Sequence, residues 1–471
     1  MVECLNEKNG LEFRGKEEGA NTKRASPPPV KIFTKKDDSN AGTFGLAPSV
    51  FAQNFSKPKP CNPETRNLET FTMQHLQIFG EPIIDEKAIS QIRRCASSPD
   101  DLGTLTADAH YGYGHPIGGV VAYKDKISLS GVGFDIACGN KACQTNIRAA
   151  DLDTEKVMDE IFRQIGFGIG RPNPKPIDHE VFDHIAKAEF KPQRKMLQAA
   201  MNQLGTVGSG NHFVDLFEDE EGWVWVGVHF GSRGFGHKTT TGFIALSKGK
   251  TFDDHVHEGG MDAPPILFDA DSELGQDYLA AMRLAGEYAY AGRDVVVEKV
   301  LEILKAKSVF EVHNHHNFLW EEEHFGEKYY VVRKGATPAF PGQYGFIGAN
   351  MADISVIVKG VDSDLSKKGL YSTVHGAGRA MSRNQAAGKK RWKNGKIEYF
   401  TKGLVDWPKV KKEMKKKGVA LRGGGADEAP ECYKKLYQVL AFHEGTIEIC
   451  HRLRPIGVAM AAPDMYDPYK D

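Results

Sequence analysis

The chain has 471 residues, 61 Lys+Arg against 62 Asp+Glu, a net charge of −1 and 40% hydrophobic content. That composition fits a globular protein of one large domain or two to three ordinary ones, and it excludes a wholly basic nucleic-acid coat while leaving room for a local basic groove. Seven scattered cysteines with no CxxC pair argue against a disulfide framework or a zinc knuckle, and no stretch approaches the roughly 18 uninterrupted apolar residues of a membrane span, so a cytoplasmic protein is expected.

Residues 1–65 are polar, mixed in charge and broken by Ser26-Pro27-Pro28-Pro29 and Lys57-Pro58-Lys59-Pro60, so an irregular arm is expected, with only 30–33 strand-like. From Leu68 the pattern becomes globular. A helix over 85–94 capped by Asp85 leads into the glycine- and histidine-rich segment 108–119, which carries Asp108, His110 and His115. Next, the run 131–139 places Asp135 and Cys138 three apart between glycines. A carboxylate and a thiolate in such a bend can meet one cation, and a thiolate sulfur can bridge two, although a buried free cysteine is the commoner use of that residue. Asp153 caps a helix with Val157, Ile161 and Ile165 at helical spacing, and a second helix over 194–204 stops at Gly205.

Three later segments repeat one design. Each runs into an imidazole near a strand end: His212 after the glycines of 205–210, His229 after 223–228, and the cluster His313, His315 and His316 after 308–312. The stretch 370–374 does the same into His375, followed by Gly376, Ala377, Gly378 and Arg379, which offers a nucleophile beside an anion-binding fork of donors. One such histidine is usually structural. Four of them, with Asp135 and Cys138, point to loops converging at one sheet edge on a shared metal site.

Between these blocks, Tyr278, Met282, Ala285 and Ala289 form one apolar helical stripe and 295–304 a second, both expected in the core. Lysines surround Trp392, and 409–417 is a basic helical run; such runs are usually solvated faces, while a Trp among lysines also suits base stacking. The turn 423–430 should feed a helix with Pro430 near its start and a stripe at Tyr433, Leu436 and Leu440, before a last strand over 454–459. Neither a GxxxxGK[ST] loop nor a GxGxxG between strand and helix occurs.

The runs 131–139 (GVGFDIACG), 208–213 (GSGNHF), 229–237 (HFGSRGFGH), 315–318 (HHNF), 333–337 (RKGAT), 375–383 (HGAGRAMSR) and 427–430 (DEAP) stand in the order found in the RtcB RNA ligases, and the chain resembles that family over about 105–460. The resemblance implies an α/β (α+β) fold peculiar to the family: a single compact catalytic domain over 66–471, with sheets surrounded by helices and a central metal and nucleotide pocket. It implies a ligase joining RNA 3′-phosphate or 2′,3′-cyclic phosphate ends to 5′-hydroxyl ends, in RNA repair or tRNA splicing, with GTP as cosubstrate and two Mn²⁺ ions. By the same similarity Asp135, Cys138, His212, His229 and His316 hold the metals, with Cys138 bridging, and His375 takes up GMP. Asn211, Phe213, Asp215, Asn317, Asn350, Gly376, Ala377, Gly378, Arg379 and Tyr433 surround the nucleotide.

Some positions depart from the family. Its Pro-Gly-Ser-Met-Gly loop is Gly348-Ala349-Asn350-Met351-Ala352 here, its terminal lysine is replaced around Met460, and its Pro-Asp-Val-His is Ala107-Asp108-Ala109-His110. A diverged paralogue with intact metals and altered nucleotide preference therefore fits. So do two other readings: a metal-dependent end-processing phosphoesterase, and a non-catalytic RNA-repair subunit. Oligomeric state stays open, a monomer among the options.

Overall fold

The computed structural model describes residues 76–257, 259–393 and 396–463, with side chains throughout except over 390–399. The arm expected over 1–65, its strand-like 30–33 and the Trp392 side chain lie outside the described residues. Two sheets dominate what is described. The larger runs in the order Ser308–His315, Gly139–Arg148, Trp223–Phe230, Phe213–Glu218, Ile447–Met460, Ser355–Gly360 and Tyr344–Ile347, with Ala420–Arg422 parallel to Ile447–Met460 and the other pairings antiparallel. The smaller orders Leu76–Ile78, Leu102–His110, Ile117–Tyr123, Glu327–Lys334 and Asn317–His324. Residues between Ser308–His315 and Asn317–His324 therefore cross from one sheet to the other, and His316 sits at that crossing. Mixed sheets with helices packed on them match the expected α/β class.

One 32-residue helix, Glu273–Leu304, serves both sheets. Ser272 caps it, accepting a hydrogen bond from Gly275 N at 3.0 Å, and both apolar stripes read from the sequence lie along it. Tyr278, Met282, Ala285 and Ala289 join the core that contains Leu105, Val121 and Val332 of the smaller sheet. One to two turns later, Val296, Val297 and Val300 join the core beneath Val214, Val226 and Val228 of the larger. A long helix spanning both cores fixes the sheets against each other, and the site lies where their strand ends meet. Among the described residues, no helix is long and apolar enough to cross a membrane.

The 85–94 and 153–164 helices stand as expected, with Lys87 N donating to Asp85 at 2.8 Å and Lys156 N to Asp153 at 3.2 Å. Three expectations need correction. The helix over 194–204 is two short pieces, Lys191–Arg194 and Leu197–Gln203, because Met196 departs from ideal helical torsions at φ −90°, ψ 0°. The strand expected over 370–374 covers only Ser372–Val374, since Leu370 and Tyr371 are left-handed at φ +51° and +44°. The fully buried Arg333 holds that strained pair: it donates to Leu370 O and Ser372 Oγ, each at 2.9 Å, and pairs with both Glu322 oxygens at 2.6 and 3.0 Å. Finally, Pro430 opens only the single 3₁₀ turn Pro430–Cys432, and the helix is Leu436–Ala441. Tyr433 between them is extended at φ −123°, ψ 150°, and bridges to Arg379 rather than facing a helix core.

Candidate active site

The segment between the strand Lys126–Ser128, which pairs only with Leu267–Asp269, and the larger sheet's Gly139–Arg148 strand carries Asp135 and Cys138. Ala137 between them is left-handed at φ +57°, a conformation disfavoured for a residue with a Cβ. Ala137 N donates to Asn317 O at 2.7 Å, and the fully buried Arg293 of the long helix donates to Ala137 O at 2.9 Å and Phe230 O at 2.7 Å. That clamp turns Cys138 towards the strand end bearing His229. Gly231 is required beside it, because a Cβ there would lie 2.2 Å from Asp135 Oδ1. Arg293→Met should therefore leave both carbonyls and the neighbouring His313 and His315 short of a donor. We expect a loss of about 2–4 kcal/mol in urea unfolding and metal binding about 10-fold weaker by competitive chelation.

Cys138 is shared by two groups of ligand atoms, each drawn together within 4.8 Å: Cys138, His229 and His316, and Asp135, Cys138 and His212. Its sulfur lies 3.6 Å from His229 Nε2 and 3.7 Å from His212 Nε2, near the ligand–ligand edge of a tetrahedral site whose bonds are about 2.0–2.3 Å. The ring nitrogens are assigned by their outer partners. His212 Nδ1 faces Val207 O at 3.0 Å and His229 Nδ1–H donates to Asn140 Oδ1 at 2.7 Å, so both Nε2 atoms face the cluster, that of His212 making a 3.0 Å hydrogen bond to Asp135 Oδ2 that a cation would replace. Asn140 is itself oriented by donating to Phe346 O at 2.8 Å.

The electrostatics match a cation site. Burial, then neighbouring imidazoles, holds His229 and His316 well below the ordinary histidine value, so both are neutral as ligands must be. Burial would raise Asp135, but the hydrogen bond and charge of His212 outweigh it and keep the carboxyl at about 2. Burial and the Asp135 charge push the Cys138 thiol well up, so its proton departs only when a cation takes its place. Buried His316 Nδ1 has no hydrogen-bond partner, an orphan that a cation would satisfy. Mixed S, N and O donors with two groups sharing one sulfur thus fit a pair of divalent ions.

All sixteen residues expected at the site line one cavity of about 290 Å³. His375 stands with its ring 5.0 Å from that of His316, and its Nδ1 lies 2.6 Å from Asp108 Oδ2. Asp108 has no exposed side-chain surface; it also accepts from Thr106 Oγ1 at 2.6 Å and from the His375 and Gly376 amides at 3.0 and 3.3 Å. Gly378, at φ +74°, lets the loop close on that strand, since a Cβ would sit 2.1 Å from Asp108 O. Burial would raise the Asp108 carboxyl, but His375, Thr106 and Lys434 outweigh it and hold it at about 2. The carboxylate lies against Nδ1 at 2.6 Å without ideal hydrogen-bond alignment, which turns Nε2, the other ring nitrogen, to the cavity side of His375.

Asp108→Asn should slow any reaction that uses His375 Nε2 as nucleophile by about 10²–10³-fold in single-turnover assays, because the amide can orient the ring in the wrong tautomer. A folded value depressed to about 2 means the ionised group stabilises the fold above its unfolded value of about 3.9. The wild type's stability advantage over the asparagine variant should therefore shrink as pH falls through that window.

The opposite wall differs from a free anion clamp. Arg379 donates to Asp427 O at 2.7 Å, Tyr433 Oη at 3.1 Å and Glu428 at 3.4 Å, and Arg383 pairs with Asp427 at 3.1 Å and with Glu428. Tyr433 also donates to Glu428. Asp215 Oδ1 and Asn350 Nδ2 are buried without partners on the cavity wall, beside Met351, Val458 and Met460. Asp108, Asn140, Arg383, Glu428 and Arg293 were not picked out as site residues from the sequence. Asp108 left a signal there as an acid within the glycine-rich 108–119 segment, and Arg383 and Glu428 stand inside the 375–383 and 427–430 runs, whereas Asn140 and Arg293 left none.

A family model described as tRNA-splicing ligase RtcB matches residues 91–461. Among curated relatives, the RNA-splicing ligase RtcB of Escherichia coli K12 is 31% identical over 376 residues, covering 74% of this chain and 87% of that protein. The tRNA-splicing ligase RtcB of Archaeoglobus fulgidus is 29% identical over 464 residues, covering 80% of this chain and 92% of that protein. RNA-splicing ligase RtcB homolog 1 of Entamoeba dispar is 29% identical over 482 residues, covering 84% and 85%. With the family match spanning 91–461 and enclosing the whole cavity, the chain belongs to the RtcB family and is an RNA ligase.

Proposed function

We propose that this ligase joins a 3′-phosphate or 2′,3′-cyclic phosphate RNA end to a 5′-hydroxyl end through a GMP–His375 adduct, using GTP and two Mn²⁺ ions. The observation that carries the proposal is the buried Asp108–His375 contact of 2.6 Å at the wall of the cavity that also holds the Cys138 cluster. Asp135, Cys138, His212, His229 and His316 would hold the ions, and when bound these supply charge neutralisation on the triphosphate and its leaving pyrophosphate. His375 Nε2 attacks the α-phosphorus, an N–P bond forms and the P–O bond to pyrophosphate breaks. Asp108 keeps the ring in register and balances the cation that develops on it. A 2′,3′-cyclic end is first opened by water, which forms a new P–O bond as the P–O2′ bond breaks and leaves a 3′-phosphate and a free 2′-hydroxyl. An oxygen of the RNA 3′-phosphate then takes GMP from Nε2 as the N–P bond breaks, which restores the imidazole. The 5′-hydroxyl attacks the activated 3′-phosphorus, forming the new phosphodiester and releasing GMP. Every step exchanges one bond to phosphorus for another, so placement carries most of the rate.

Asn211, Phe213, Asp215, Asn317, Asn350, residues 376–379 and Tyr433 would surround the nucleotide. Unpartnered Asp215 Oδ1 and Asn350 Nδ2 are the groups suited to read a base, and Met460, around which the family's terminal lysine is replaced, lines the same cavity. A thiol that must stay reduced to bind metal suits the cytoplasm, and tRNA splicing or RNA repair supplies such ends.

The test is ligation of a 3′-phosphate oligonucleotide with each labelled NTP in turn, with and without Mn²⁺. We expect an acid-labile, alkali-stable protein label from GTP and joined RNA only with the metal. Opening of a cyclic phosphate without GTP, and with no joined product, would favour an end-processing phosphoesterase. Bound metal with neither label nor hydrolysis would favour a non-catalytic subunit.

A further inference from the structure

Residues 389–417 carry twelve Lys or Arg against three Asp or Glu, in a chain whose net charge is −1. Within them, the helix Trp407–Lys416 exposes Lys409, Lys411, Lys412, Lys415 and Lys416. Its local energetics oppose that pattern. Lys411 and Lys412 repel Lys415 and Lys416 one turn on, and Lys409 places a cation at the positive end of the helix dipole. Lys409 has Glu413 at 4.0 Å, while Lys411, Lys412, Lys415 and Lys416 have no ion-pair partner among the described residues. The buried face of the same helix, Val410 and Met414, packs with Met351 and Met460, which line the cavity. Lys417 Nζ donates to Ala352 O at 3.1 Å, next to cavity-lining Asn350 and Met351. Just before this helix in the chain, two large apolar side chains, Phe400 and Leu404, are 58% and 74% exposed.

We propose that the lobe formed by residues 400–417 holds the body of the RNA, its phosphodiester backbone lying across the lysines of the Trp407–Lys416 helix while its 3′-phosphate end reaches the cavity. The helix is about 15 Å long, enough to follow two or three successive phosphates. The exposed parts of Phe400 and Leu404 give apolar surface on which an unpaired base can rest, which a purely acidic protein partner would not use. The proposal rests on the ligase assignment but not on the histidine adduct.

The test is the full-length triple variant Lys412→Glu/Lys415→Glu/Lys416→Glu. For a 3′-phosphate single strand at low salt we expect KM to rise at least about 10-fold, with kcat at saturating RNA held within about twofold, and a slope of log affinity against log salt shallower by about 2. The triple Lys→Gln variant should show the same slope change with a smaller KM rise, which separates loss of charge from misfolding. Filter binding of the RNA without GTP reads the surface even in a protein that forms no adduct, so failure of the adduct mechanism and failure of this surface are distinguishable. An unchanged KM and salt slope in both variants would overturn the proposal, as would equal protection of this lobe from lysine-reactive reagents by polyglutamate and by RNA.

Discussion

His375→Ala should abolish protein labelling by GTP and reduce ligation by on the order of 10⁴-fold or more, the scale seen when a covalent nucleophile is removed. No neighbour is placed to replace it. His110 also lines the cavity, but its Nδ1 lies 3.3 Å from a backbone oxygen, Asp108 O, and burial holds it at about 4. It lacks the buried carboxylate that would balance an imidazolium during attack. Metal content should be unchanged, because His375 belongs to neither ligand group. The alanine variant leaves the buried Asp108 carboxylate without its His375 side-chain contact, a cost of about 1–3 kcal/mol. His375→Gln, which keeps a donor on that side chain, is the control for lost stability. Label that persists on the folded variants would remove His375 from the chemistry and with it the adduct mechanism.

What the sequence made legible were residues whose role needs a special backbone. The blocks ending in His212, His229, His316 and His375 combine strand-forming residues with glycines, and all four imidazoles line one cavity. Groups acting across long separations left weaker traces. Asp108 meets the His375 amide from 267 residues upstream, and Arg293 reaches Ala137 across 156 residues, from the middle of a helix that reads as simple core. A buried arginine on an apolar stripe carries no local pattern saying which carbonyls it will satisfy. Arg379 reads as an anion clamp because nothing nearby in sequence reveals that Glu428 and Asp427 O occupy its donors. The misread helix before Leu436 has the same origin: Pro430 and the Tyr433–Leu436–Leu440 spacing obey helical rules, but the bridge from Tyr433 to Arg379 outweighs that local preference and extends the chain.

Cys138→Ala should lower the metal content from two ions per chain towards none, whereas His316→Ala should remove only one. The difference follows from geometry, since Cys138 is the member common to both ligand groups and His316 belongs to one. If a complete four-ligand site is worth about 10–16 kcal/mol, one ligand carries about 3–4 kcal/mol, and its loss weakens each ion by about 10²–10³-fold. Ligation at micromolar Mn²⁺ should fall at least in proportion. Thermal stability separates this from damage to the fold. In chelator, the alanine variant should melt close to the wild type, because the buried thiol is protonated there and is simply exchanged for a smaller apolar group. With metal at about 100 times its dissociation constant, the wild type should gain about 2.7 kcal/mol per ion, a gain the variant lacks. A Cys138→Ala protein that still binds two ions with wild-type affinity would show that the sulfur bridges nothing, and that the carboxylate and imidazoles hold both ions without it.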